Sequence, residues 1–219
     1  QVCVKFNATY DIIKNLLPDT KILYYNIELK KKPFQIVTYL KLGLKITKNP
    51  VKIIISYLKA KKCNQNYWKK QLISQTKKLN SYNKKILLVS HPYNVYDNYI
   101  GLPIIKKIEQ MGVEIIYANL LDHKTARIYA KNLSPTLYWT YSKELIGAIE
   151  YYHYSVDGII FLTTFPCGPD SLVNELMIRK ISDIPVTNIL VDEQTSSTGL
   201  ETRLESFIDI INERRKNNG

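Results

Sequence analysis

Four short apolar runs constrain this chain most: 86–90 (ILLVS), 113–118 (VEIIYA), 158–162 (GIIFL) and 186–191 (VTNILV). The runs at 86–90 and 158–162 are continuously apolar and read as buried strands, and those at 113–118 and 186–191 read as strands as well. The intervals between them carry apolar residues at helical spacing, predicting helices over 101–111, 122–131, 142–154, 170–181 and 199–212. Strands separated by helices of this length are joined by crossovers and run parallel. The expected fold is therefore α/β: over residues 85–219, a Rossmann-like or flavodoxin-like parallel sheet with helices on both faces.

Residues 1–84 follow a different pattern. Cys3 lies in an extended lead, a short helix over 8–17 closes at Pro18-Asp19, and 21–27 (KILYYNI) has strand composition. Helical spacing then runs over 33–62, interrupted at Asn49-Pro50, and resumes over 64–80. We read this segment as the remnant of a preceding Rossmann-like domain carrying a Lys-rich helical insertion, with Cys63 as a structural residue. It holds 18 lysines against three acids, while residues 85–219 carry 13 basic and 16 acidic residues, so the net charge of +12 belongs to the first segment. Such a segment suits an acidic partner surface, a phosphate-bearing ligand or nucleic acid, or it is simply the solvated face of lysine-rich helices. Tyr57, Tyr67 and Trp68 among the lysines define no stacking platform, so nucleic acid is not the expected partner.

No apolar run reaches the roughly 18–20 residues of a membrane-spanning helix, and no signal-peptide core follows Gln1. The start at Gln1 rather than Met reads as a fragment or a processed chain. Three widely spaced cysteines, Cys3, Cys63 and Cys167, form no disulfide framework and point to a reducing cytoplasm.

Because the strands are parallel, the loops 91–97, 163–171 and 192–198 open on one edge, where α/β sheets bind ligands. The candidate mouth contains His91, Tyr93, Asn94, Cys167, Asp170, Asp192, Glu193 and Thr195 to Thr198. Cys167 sits in a rigid turn, Pro166-Cys167-Gly168-Pro169, with Asp170 expected to cap the next helix through Glu175. His91 is open as a general base, a ligand or a loop histidine. Asp192 and Glu193 read either as acid and base or as caps. Cys167 is open as a buried hydrophobe, as the nucleophile of a Cys–His pair or as a metal or cluster ligand. Neither a dinucleotide fingerprint nor a P-loop is present.

The segments HPYNVYDNYIGLPIIKKI from His91, LYWTYSKELIGAI from Leu137, DGIIFLTTFPCGPDSL from Asp157 and DEQTSSTGLETRLESF from Asp192 carry a resemblance. They are similar to GHPYN, WxxGKxLLGA, DGIIxLxxFxCGPDSL and DExTxxxGxxTRLEAF in the 2-hydroxyacyl-CoA dehydratase superfamily, most closely its activase-related branch, labelled DUF2229. VCVKFNATYDII from Val2 resembles that family's CPKFxGLPDMI, with Val4 in place of the proline. The resemblance implies a 4Fe-4S cluster with Cys3 and Cys167 as ligands, and a further cysteine upstream in a CxPxK motif. Two thiolates fall short of four, so the cluster expected of this stretch is incomplete, labile or lost. It also implies one-electron transfer linked to acyl-CoA dehydration in an anaerobic cytoplasm. An ATP-dependent activator or an acyl-CoA would be the partner, His91 and Glu193 the catalytic residues, and Tyr93, Asn94, Asp170 and Ser171 the substrate mouth. The contrasting expectation, from the residues alone, is a non-catalytic Rossmann-like module whose basic helical segment docks a partner or nucleic acid.

Overall fold

The computed structural model describes residues 4–25, 35–165, 167–192 and 197–218. They form two compact units, residues 2–71 and residues 72–219.

The first unit is helical: α1 (Val4–Asn7), α2 (Thr9–Leu16), α3 (Gln35–Ile46) and the start of α4 (Pro50–Leu79). Lys14 Nζ closes α2 on the Pro18 carbonyl at 2.6 Å. Asn49 starts α4, its Oδ1 accepting from Lys52 N at 3.1 Å, with Pro50 in the first turn, where no amide is needed. At Gly43 the helices α3 and α4 touch: a Cβ there would lie 2.4 Å from Ile53 Cγ2. Tyr39 and Tyr57 meet beside this contact at 5.6 Å.

Two expectations fail in this unit. The strand over 21–27 is absent from its described part, since residues 21–25 have no regular structure. Strand composition alone cannot hold a strand without a neighbour to pair with. Likewise, no break separates 33–62 from 64–80 at Cys63-Asn64, and α4 runs on for 30 residues. No Pro or Gly interrupts it, and just past the expected break Trp68 Nε1 donates to Asn64 Oδ1 at 3.1 Å, one turn apart. Cys63 is exposed on this helix, so it plays no packing role.

The second unit is the expected α/β layer structure. Strands β1 (Lys85–Val89), β2 (Glu114–Tyr117), β3 (Gly158–Thr164) and β4 (Val186–Val191) form one parallel sheet in the order β2-β1-β3-β4. This is the flavodoxin-like order, whose topological switch point lies between β1 and β3. Alternation along the strands divides the core. Ile86, Leu88, Ile160 and Ile189 pack against α6 (Gly101–Gln110) and α10 (Ser197–Asn218). Leu87, Val89, Ile159 and Phe161 pack against α8 (Thr140–Tyr152) and α9 (Gly168–Lys180). α7 (His123–Leu133) lies on α8, so close that a Cβ on Gly147 would fall 1.7 Å from the Ala126 carbonyl oxygen.

Side chains finish the rims of the sheet. Gln75, 2% exposed near the end of α4, accepts from Tyr117 N at 2.8 Å and donates to Tyr117 O at 3.2 Å, imitating a further strand on the β2 edge. On β4, Arg203 donates to Asn188 O at 2.8 Å. At the amino end, Asp157 accepts from Lys85 N at 2.7 Å and pairs bidentately with Arg215 at 2.7 and 2.9 Å.

Candidate functional site at the switch point

At the carboxyl end of β1 the chain turns through Ser90 and His91 into a single helical turn, α5 (Pro92–Val95). Buried Ser90 donates to Leu162 O on β3 at 2.6 Å, and the His91 carbonyl accepts from Asn94 N and Val95 N. The expected loop over 91–97 is thus a rigid turn, fixed to the neighbouring strand. β3 ends in a second turn, where Cys167 N donates to Thr164 O at 3.0 Å and α9 begins immediately after.

Asp170 does not cap α9. The helix starts earlier than expected, at Gly168 with Pro169 in its first turn, so the N-cap position falls to Cys167 and Asp170 stands third within the helix. Glu175 pairs instead with Arg179 at 2.8 Å. The Asp170 carboxylate turns across the switch point and meets His91 Nε2 at 2.9 Å, their side chains only 9% and 13% exposed. A carboxylate oxygen accepts, so in this contact the proton sits on His91 Nε2. Ser142, in the first turn of α8, places Oγ 3.4 Å from the same carboxylate. Tyr93 stacks on the imidazole at a centroid distance of 5.0 Å and 12°, and Tyr141 leans on it at 5.0 Å and 44°. Burial raises the Tyr141 phenol above its ordinary value, and the nearby Glu144 carboxylate adds to the effect.

Cys167 is half-buried at this junction. Burial pushes its thiol up to about 11; the Asp170 carboxylate pushes the same way, against the Asp170 amide and the Tyr93 hydroxyl, which favour the thiolate. With Nε2 committed to Asp170 and the thiol protonated at neutral pH, the pair lacks the thiolate–imidazolium character of an activated Cys–His nucleophile.

The structure thus brings together His91, Tyr93, Cys167 and Asp170 from the sequence-predicted mouth. Asn94 lies beneath it, 1% exposed, donating to Ser90 Oγ at 3.3 Å while its buried Oδ1 has no partner among the described residues. Ser171 returns its hydroxyl to Cys167 O at 2.8 Å, which occupies it in the helix turn. Asp192 is exposed at the end of β4. Cys3 and Glu193 lie outside the described residues. Tyr141 and Ser142 were not singled out from the sequence, although both fall within LYWTYSKELIGAI. Beside them, Glu144 accepts from Arg127 Nη2 at 2.7 Å and pairs with His123 Nδ1 at 2.8 Å.

A four-thiolate cluster needs four sulfur ligands. Among the described residues Cys167 is the thiol at this mouth, and no group of three or more His, Cys, Asp or Glu is placed to hold a metal ion. The described donors alone therefore do not make a cluster cage. No described helix is long and apolar enough to cross a membrane.

Residues 1–121 match the family described as CoA enzyme activase uncharacterised domain (DUF2229), in line with the resemblance read from the sequence. The match takes in the helical unit, β1, His91 and β2, and stops before the segments that begin at Leu137, Asp157 and Asp192. No curated protein matches the chain, and no solved structure does.

Proposed function

The chain belongs to the CoA enzyme activase uncharacterised domain family (DUF2229), and from that premise we propose that the β1/β3 mouth is its working site in one-electron chemistry linked to acyl-CoA dehydration. In this reading Cys167 is the thiolate that the α/β unit contributes to a 4Fe-4S cluster, Cys3 is a second ligand, and the remaining ligands come from outside the described residues. The cluster, when bound, would supply the one-electron step. An ATP-dependent activator would deliver the electron, an acyl-CoA or a partner protein would receive it, and the setting would be an anaerobic cytoplasm.

One observation carries the reading. His91 and Asp170, 79 positions apart in sequence, meet at 2.9 Å across the switch point, against the turn that presents Cys167. This chain's residues have definable roles there. Tyr93 and Tyr141 exclude water from the imidazole. Asp170 holds the proton at His91 Nε2 and aims its amide at the sulfur. Glu193, outside the described residues, is proposed as a further acid or base.

Anaerobic reconstitution with iron and sulfide tests the proposal. Wild-type chain is expected to take up both and to show the broad visible absorption of thiolate-to-iron charge transfer, and Cys167→Ser is expected to lose most of it. Equal iron and sulfide in the two proteins would remove Cys167 from the ligand set and overturn the reading.

A further inference from the structure

The helical unit carries a surface that the switch-point site does not use. From residue 35 to residue 79 the sequence holds 11 lysines and not one Asp or Glu. Helices α3 and α4 therefore have no internal ion pairs to offset their charge. On α4, Ile53 and Tyr57 face α3, where they meet Gly43 and Tyr39. Val51, Ile54, Ile55 and Leu58 point away, 63%, 47%, 48% and 56% exposed. Their spacing is i, i+3, i+4, i+7, the anchor pattern of a helix laid into an apolar groove. Lys52 and Lys59 flank the stripe.

Charge and pattern decide among occupants. A second copy docking through the same face would set one lysine-only surface against another. An in-plane membrane helix needs an apolar face along its length. Here the line of the stripe continues through Lys62, Gln65 and Lys69, so the apolar part spans about two turns, roughly 11 Å. Nucleic acid would match the lysines but leave four aliphatic anchors with nothing to bury them.

We propose that the outer face of α4, anchored by Val51, Ile54, Ile55 and Leu58 and ringed by lysines, docks into an apolar groove edged by carboxylates on a different protein. The groove is one helix wide and about two turns long, with further acids placed to meet Lys62 and Lys69. This inference is independent of the cluster reading, because it uses no residue of the switch point.

The test places a photo-crosslinking amino acid at Leu58 of the full chain in its native cell. The captured protein is then identified, purified and titrated against the wild-type chain and against Leu58→Ser and Lys62→Glu. The proposal expects one acidic protein, binding weakened at least about tenfold by either substitution, steep weakening between 50 and 500 mM salt, and unchanged thermal melting of both variants. Sedimentation of the chain alone and flotation with phosphatidylcholine vesicles containing phosphatidylserine run in parallel. Self-association lost in Leu58→Ser, vesicle binding lost in Leu58→Ser, or no specific crosslink would each overturn it. A captured protein whose binding ignores both substitutions would do so as well.

Discussion

Cys167 and Asp170 show how much of a site's chemistry is decided by neighbours that are remote in sequence. The thiol stands at about 11, raised first by burial and then by the Asp170 carboxylate. Asp170→Asn removes that charge and keeps the amide, so the thiol is expected to titrate lower and to react faster with iodoacetamide at pH 8 to 9. An unchanged alkylation rate would show that the carboxylate does not act on the sulfur. The sign for stability follows by linkage. A thiol whose pKa is higher folded than unfolded keeps its full contribution below the unfolded value, and loses it as pH rises from about 9 through about 11. Urea midpoints of wild type should therefore fall more steeply over that interval than those of Cys167→Ala. None of this was readable from the turn itself. Pro166-Cys167-Gly168-Pro169 announced a strand end and a helix start, but the His91–Asp170 contact spans 79 positions, and only the parallel pairing of β1 with β3 creates it.

At the scale of elements, close approach and capping do most of the positioning. Gly147→Ala would drive a Cβ into the Ala126 carbonyl and push α7 off α8, with an expected loss of about 1–3 kcal/mol. A thermal midpoint within error of wild type would contradict that packing. Asp122 caps α7, its Oδ2 accepting from Lys124 N at 3.0 Å and Thr125 N at 3.1 Å. The Thr125 amide bond is the first cause holding this carboxyl below its ordinary value, and Asp122→Ala should cost about 1 kcal/mol at neutral pH. Because the folded value is depressed, that contribution is present above the unfolded carboxyl pKa and fades as pH falls through the folded one. The difference in denaturant midpoint between wild type and Asp122→Ala should therefore shrink under acid conditions. The helices on the sheet were legible because one apolar stripe each faces a strand layer. The continuity of α4 was not, because its lysines spread around the helix and blur the 3.6-residue period. The 21–27 stretch misled for the opposite reason, its β-branched and aromatic side chains having no described strand beside them.

For the molecule as a whole, the alternation of buried runs and amphipathic intervals was enough to set layers and strand direction, since parallel strands covered on both faces have little other sequence signature. The strand order was not legible, because apolar runs of similar composition do not name their neighbours, and with it the switch point went unlocated. That order makes the second unit self-sufficient: both core clusters draw their buried residues from within 86–211. A chain of residues 72–219 is accordingly expected to unfold in a single cooperative transition by calorimetry, and a broad non-cooperative melt would contradict that. Gln75 and Arg203 carry a last consequence. With a carboxamide seated on the main chain of Tyr117 in β2 and a guanidinium on the Asn188 carbonyl of β4, each outer strand has a main-chain group withdrawn from a passing polypeptide. Both contacts come from side chains outside the strands, Gln75 on α4 and Arg203 on α10.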